Sequence, residues 1–475
     1  MATPLLGPRL LALALVGLVP PALCAGGTED TDAEKARAQL EKAELRYEQG
    51  RYNEATTYYR RLAKKYPDTA PGRIAAARSL PSCYLGSTLI VDNGPSANRV
   101  DVALMGDGYT LEHQKAFDKL ADDVPPLFER QATFREYFPY FNFRRFNLVS
   151  KDAMVDGFGR EEDTALNGHT RKTIQGHVAV DARLVRKMLA LAPAHDGVAI
   201  VYVRAGILGT GGSGFATIGG TSSKITIHEW GHAFARLADE YSKKTHDRGG
   251  VRNRVNVSGT DDPTKAAWAH WIAAKVPGIG MYQGASGQVR GAWKPTSGGC
   301  VMDSGEFFCK PCQEAIVLRI YSFVDPIDEA LPRPHARRDP ASLTVTKSID
   351  FRITVMTPEK HRLQVAWWVL PERSAPPEPR TARREYANGL TDRRGRGPLP
   401  HIKYEPVKTS KGKRDGVHKL TVKANSLEPG RYRVVCRAWD TTKMKGDKFP
   451  WVLRDEYGVL ESERAWWIVV PAKGE

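Results

Sequence analysis

The chain has 475 residues, 41% hydrophobic and 26% charged, with a net charge of +16. That length suits about two to four domains with buried cores, and the composition is ordinary for a globular protein. The positive charge favours acidic surfaces in general, but the basic residues are spread out and densest in the Pro- and Gly-rich stretch from Arg373 to Arg414. They read as a solvated, partly disordered segment, and no nucleic-acid partner is expected.

At the N-terminus, Arg9 precedes the apolar run Leu10 to Val19, and Pro20-Pro21 with small residues from Ala22 to Gly26 allows cleavage. Residues 1–25 are therefore assigned as a secretory signal peptide. The run is too short for a transmembrane helix and nothing later matches its length, so no membrane-spanning segment is expected in the mature chain. The expectation is an exported protein, periplasmic, cell-surface or extracellular. Cys24 raises a lipid anchor, although Leu23 is larger than the small residue normally wanted before a lipidated cysteine. Without Cys24, five cysteines remain (Cys83, Cys300, Cys309, Cys312 and Cys436), so at least one is free or pairs elsewhere.

Residues 26–80 read as helical. Tyr47, Gly50, Tyr52, Ala55, Tyr59, Leu62 and Pro67 sit at spacings that resemble one tetratricopeptide-type hairpin. One such repeat cannot bury its apolar face alone, so it packs on the next domain or docks a protein partner; an ordinary helical hairpin fits equally well.

From Thr88 the pattern changes. Val100 to Met105 reads as a buried strand, and Gly106-Asp107-Gly108-Tyr109-Thr110 as a turn into a helix over residues 111–130. Strands follow over 142–150 and 197–203, with a helix over 180–191. The glycine-rich run from Gly206 to Phe215 lacks the Lys-Ser/Thr of a P-loop and reads as a flexible loop or edge. Residues 253–295 are loop-rich, a helix is expected over 313–323, and 332–340 reads as a linker. After it, alternating segments at 351–356, 361–370, 418–422, 430–439 and 466–470 suggest a small β-sandwich, with residues 373–413 inserted in one connection.

The chemistry lies in His228-Glu229-Trp230-Gly231-His232. Positions i and i+4 of a helix are about 40° apart around its axis, so His228 and His232 aim at one point. A zinc peptidase needs three protein ligands, an open position for water and a nearby base, and Glu229 supplies the base. No glutamate occurs between Glu240 and Glu306, which removes the class whose third ligand is a glutamate some tens of residues later.

The metzincin pattern H-E-x-x-H-x-x-G-x-x-H turns at its glycine and takes the last residue as third ligand. Here Ala235 and Ala238 occupy those two positions, and Asp239-Glu240 follows. A straight helix would carry Asp239 about 10 Å beyond His232, so the helix must end between them. Alanine in a left-handed turn costs about 1 kcal/mol. Asp239 is favoured over Glu240 as third ligand, with His246 and Asp247 as outside alternatives. Met302 would then lie in a turn beneath the metal. Cys309-x-x-Cys312 reads as a redox pair, a second zinc site or, preferred for an exported protein, part of a disulfide from Cys300 to Cys309 or Cys312.

The chain resembles the IgA peptidase family of metallopeptidases, family 64, which is metzincin-like. The resemblance rests in order on Gly106-Asp107-Gly108-Tyr109-Thr110, the glycine-rich run, His228 to Tyr241, Trp268 to Trp271, Cys300-x-Met302 and Phe308-Cys309-x-x-Cys312, together about residues 90–325. The final domain resembles the sandwich that follows the catalytic domain in that family, through residues 451–455 and Trp466-Trp467. Family members often carry glycine where this chain has Ala235 and Arg236.

The resemblance implies one catalytic zinc on His228, His232 and Asp239, Glu229 as the base, and a protein or peptide substrate. It does not imply that immunoglobulin is cut. The expected fold is α+β: a helical segment (26–80), a metzincin-like peptidase domain with a mixed sheet (81–335) and an all-β sandwich (336–475). The expected activity is zinc metalloendopeptidase. The alternative is a catalytically impaired surface or binding protein on the same scaffold.

Overall fold

A computed structural model describes residues 29–49, 52–79, 83–155, 162–170, 177–192, 194–205, 209–212, 214–243, 250–334, 342–375, 398–412 and 414–472. The signal-like residues, Cys24, Gly50, His246 and Asp247 lie outside them, as do Gly206 to Leu208, most of the 332–340 linker and much of the 373–413 insertion. The chain forms two compact units, Met1–Ser82 and Cys83–Glu475. Among the described residues no helix is long and apolar enough to cross a membrane.

In the first unit, α1 (Glu29–Glu48), α2 (Tyr52–Lys65) and α3 (Ala70–Arg78) pack around Ala36, Ala43, Ala55, Tyr59, Leu62, Tyr66 and Ala75. Small residues let the helices approach closely, and the aromatic rings fill what remains. Thr69 Oγ1 accepts from the Gly72 N–H at 3.1 Å, satisfying one free donor at the start of α3.

The second unit is α+β. It opens with β1 (Tyr84–Val91) and β2 (Val100–Asp107). After a 3-10 turn at Leu111–His113 come α4 (Gln114–Asp122), α5 (Val124–Arg130) and α6 (Ala132–Glu136). The single helix expected over residues 111–130 is therefore broken. Pro125 and Pro126 lack N–H donors and are tolerated only in the first turn of a new helix. Next are β3 (Phe141–Leu148), β4 (His169–Thr170), β5 (Val178–Ala179) and α7 (Ala182–Leu189). β6 (Val198–Val203), β7 (Thr210–Gly212) and β8 (Phe215–Gly219) lead into α8 (Ser223–Ala235).

Six of these strands form one mixed sheet in the order β1-β3-β2-β6-β8-β7. Its inner strands β3, β2, β6 and β8 run parallel, and both edges are antiparallel. Strands β2 and β6 are buried along their whole length, which matches the unbroken apolar sequence of β6 and the mostly apolar one of β2. Val102, Leu104, Ile200 and Tyr202 face a core shared with Phe117, Phe128, Trp230 and Phe234 from the helices. Ala103, Met105, Val201 and Val203 face the other way, against Val185, Met188 and Leu189 of α7. Alternation along each strand thus splits the core into two layers around the sheet.

Beyond α8 come α9 (Ala269–Ala273), the hairpin β9 (Tyr282–Ala285) and β10 (Gln288–Lys294), and α10 (Lys310–Phe323). Then follow β11 (Ile327–Leu331), β12 (Leu343–Thr344), β13 (Ser348–Val355), β14 (Gln364–Pro371), β15 (Lys408–Lys411), β16 (Val417–Lys423), β17 (Gly430–Trp439) and β18 (Glu461–Val470). They form a three-stranded sheet, β11-β13-β16, and a five-stranded sheet, β12-β18-β17-β14-β15. Phe351 and Ile353 of the first share a core with Trp367, Val434 and Trp466 of the second.

These sheets are joined to the helices by a buried ionic link. His361 bridges Glu136 Oε1 and Asp440 Oδ1, each at 2.7 Å, and the hydroxyls of Tyr137 and Tyr321 donate to Asp440 Oδ2. Met356, Trp451, Val452 and Val459 complete the apolar core beneath α8.

Candidate metal centre and active-site cleft

Helix α8 starts where the Ser222 side chain accepts the Ile225 N–H, and it buries Ile227, Trp230 and Phe234. The opposite face carries His228 and His232. The helix ends at Arg236, whose φ of 54° and ψ of 33° are left-handed. The left-handed residue is thus Arg236, whereas the metzincin spacing would put it at Ala235. Ala235 is fully buried in the helix, whereas the Arg236 side chain is exposed. Turn and acidic residue have both moved one position along. The interval from turn to Asp239 is therefore the three residues that separate glycine and histidine in the metzincin pattern.

After the turn the chain is extended and pinned on both sides. Asp239 O accepts from Ser286 N, Glu240 N donates to Met302 O at 2.7 Å, and Tyr241 O accepts from Gly287 N. Successive side chains of an extended segment point opposite ways. Asp239 accordingly turns back to the helix, with Oδ1 at 3.1 Å from Nε2 of both His228 and His232. The two Nε2 atoms are also 3.1 Å apart. Glu240 points away and is fully buried; the structure brings Asp239 to the histidine pair and leaves Glu240 out.

The imidazoles are oriented from behind. Each Nδ1 meets a carbonyl, His228 with Val301 O at 2.9 Å and His232 with Leu237 O at 2.6 Å. Nδ1 must donate to these oxygens, so in the neutral rings each Nε2 is left as a bare lone pair. Two lone pairs and a carboxylate oxygen then converge with no proton between them. Tetrahedral zinc with nitrogen ligands at about 2.0–2.1 Å would space them about 3.3 Å apart, so this triangle has the size and donor set of a metal site.

Glu229 lies beside the triangle in the same cleft and accepts the backbone N–H of Gly211, in β7. Burial pushes its carboxyl above the usual range, with the Asp239 charge adding and the two histidines opposing. Asp239 is held well below the usual range: burial opposes this, but hydrogen bonds from His228 and His232 outweigh it. Burial would pull His232 down, yet Asp239 and Glu229 raise it.

The cleft is about 760 Å³. Its walls include β7, His177, Tyr241 and a positive cluster of Arg236, Arg252 and Arg254. Strand β7 passes so close to α8 that a Cβ on Gly211 would lie 2.3 Å from Glu229 O. The glycine-rich run is therefore an edge hairpin over the active-site helix at residues 209–212.

Met302 is fully buried beneath α8, and a Cβ on Gly231 would lie 2.8 Å from its Sδ. The expected disulfide is absent. Cys300, Cys309 and Cys312 are all free, with Cys300 and Cys312 Sγ 4.0 Å apart, twice the length of an S–S bond of about 2.05 Å. Instead these sulfurs gather around Glu240, whose Oε1 is 3.6 Å from Cys309 Sγ and 3.2 Å from Cys312 Sγ.

Sequence reasoning missed Asn256, which bonds both backbone groups of Ala238 as well as Glu240 Oε1, and Lys294, whose ammonium reaches Glu240 O and Asp303. Both sit in loop-rich sequence with no spacing to mark them.

Residues 89–278 match the model of the family described as IgA Peptidase M64. The match supports a resemblance of this region to the IgA peptidase family of metallopeptidases. No curated protein matches the chain at a significant level. The match suggests a metallopeptidase, an enzyme class that would take protein or peptide substrates. The matched residues contain α8, Asp239 and Glu240 but end before Met302 and the three cysteines.

Proposed function

We propose that this protein is an exported zinc metalloendopeptidase of the IgA peptidase family. The observation that carries this reading is the convergence of His228 Nε2, His232 Nε2 and Asp239 Oδ1 at mutual distances of 3.1 Å in an open cleft beside Glu229. Zinc held by these three atoms supplies Lewis acidity, lowering the pKa of a water and polarising the scissile carbonyl.

Glu229 takes the water proton at its carboxylate and delivers it to the leaving amine. The Gly211 N–H orients that carboxylate, and the Val301 and Leu237 carbonyls hold the two imidazoles in the tautomer that leaves each Nε2 lone pair facing the cleft. An extended substrate adds to the edge strand β7, its main chain pairing along residues 210–212. Tyr241, whose ring stacks on His228 at 6.2 Å, buttresses the site.

The test is Glu229→Gln. Zinc content is expected to stay unchanged while chelator-sensitive casein cleavage falls on the order of a thousand-fold, the scale of a lost general base. Parental cleavage by this variant would sink the mechanism. A wild-type protein that binds no metal would instead favour the impaired binding-protein alternative.

The layout proposed around this site is metzincin-like, with a tetratricopeptide-like segment before it that docks a protein partner and a β-sandwich after it. Export rests on the Arg9 to Val19 pattern and is tested by N-terminal sequencing of protein recovered outside the cytoplasm.

A further inference from the structure

We propose that Cys300, Cys309, Cys312 and Glu240 form a second metal site, a closed structural zinc centre behind the catalytic one. Their four donor atoms lie within 4.8 Å of one another. Tetrahedral zinc with sulfur ligands at about 2.3 Å would separate two sulfurs by about 3.8 Å. The observed edges are 4.0 Å between Cys300 and Cys312, 3.6 Å from Cys309 to Glu240 and 3.2 Å from Cys312 to Glu240.

The surroundings are those of a bound cation. Cys300, Cys312 and Glu240 are almost wholly buried, at 1%, 0% and 0% exposure. Glu240 Oε1 has Asn256 as donor, but its buried Oε2 has no hydrogen-bond partner at all. A disulfide among the three cysteines would still leave one thiol and this carboxylate together out of water, and burying unpaired polar groups is costly. A single dication satisfies all four.

The negative charge of the ligands is also met locally. Cys309 is the N-cap of α10 and Cys312 lies in its first turn, so the positive end of the helix faces the cluster. The Cys309 N–H donates to Cys300 Sγ at 3.4 Å, and the Lys294 ammonium binds Glu240 O at 2.7 Å. Such outer contacts orient ligands around a metal.

The centre also explains how Asp239 is held. Glu240 is its direct neighbour, and Met302 is two residues from Cys300. The ion would lock the extended 239–241 segment and the methionine turn to the start of α10, fixing the third ligand of the catalytic site from behind.

The test separates the two centres. The double variant His228→Ala/His232→Ala, purified with zinc, is expected to keep one zinc per chain, with X-ray absorption showing three sulfurs at about 2.3 Å. Wild type is expected to hold two. Titrating the thiols of the folded double variant with a mercurial should release its zinc in step, which needs no cysteine variant to fold. A double variant that folds without metal overturns the proposal. So does peptide mapping that finds any two of Cys300, Cys309 and Cys312 joined in a disulfide. Neither result bears on the catalytic reading, which fails if wild type lacks metal on His228 and His232 or if Glu229→Gln cleaves at the parental rate.

Discussion

Asp239 and Glu240 are adjacent, yet they serve two clusters of opposite character. Asp239 faces a cleft of about 760 Å³ and completes a nitrogen and oxygen triangle with room beside it. Glu240 faces inward and joins a sulfur-rich cluster in which it, Cys300 and Cys312 are almost wholly buried. Zinc chemistry follows from that contrast: three ligands and an open position admit water and substrate, while four ligands in a sealed core only hold chain segments together. A third cluster, Glu136–His361–Asp440, is equally buried but alternates acceptor, donor and acceptor. There a proton already does what a cation would do in the other two.

The sharpest way to break the comparison is chelation. A chelator is expected to abolish proteolysis with little change in Tm, because the open ion exchanges first. Loss of activity and of the cooperative melt at the same chelator concentration would erase the distinction between the centres.

The proton-based cluster predicts a pH dependence instead. Burial alone would lower the His361 pKa, but Asp440 and Glu136 raise it to about 9. Its stabilisation is therefore full below the unfolded value of about 6.5 and is lost as pH rises through about 9, a change of order 3 kcal/mol. Glu136 and Asp440 are both lowered, so their share is present above the ordinary carboxylate range and lost as pH falls through their depressed values. Tm of metal-loaded protein should hold from about pH 5 to 6.5 and then decline, and His361→Gln should remove that alkaline decline.

Gly231 probes the layer between the two metal clusters. A Cβ there would lie 2.8 Å from Met302 Sδ and 3.1 Å from a Phe308 ring carbon. Gly231→Ala is expected to destabilise by about 1–3 kcal/mol through overpacking, read by denaturant unfolding. The smallest effect is expected at the turn. Arg236→Gly relieves a left-handed φ of 54° and should stabilise by a few tenths to about 1 kcal/mol, read by thermal unfolding.

Much of the fold was legible locally. The segments at 100–105 and 197–203 read as strands and lie in β2 and β6, while 418–422, 430–439 and 466–470 fall within strands and 351–356 and 361–370 overlap β13 and β14. The expected 111–130 helix differs at its start, a 3-10 turn over Leu111–His113, and where Pro125-Pro126 impose a new start. At the site, the i, i+4 histidines need only helix geometry to converge, and Asp239, favoured over Glu240 from the sequence, is the residue whose carboxylate meets them.

The sequence by itself therefore determined what short-range geometry controls: the two histidines and the adjacent base on one helix, and the need for that helix to stop before Asp239. Tertiary structure alone decided that Arg236 makes the turn and that Glu240 faces inward. It also decided that three cysteines meet Glu240 as free thiols where a disulfide was expected. Those outcomes depend on contacts about 60 to 70 residues apart in the chain, such as Glu240 with Cys312 and Glu240 N with Met302 O. No periodicity along the chain encodes such contacts, because only packing of the folded segments sets which side chains share a buried space.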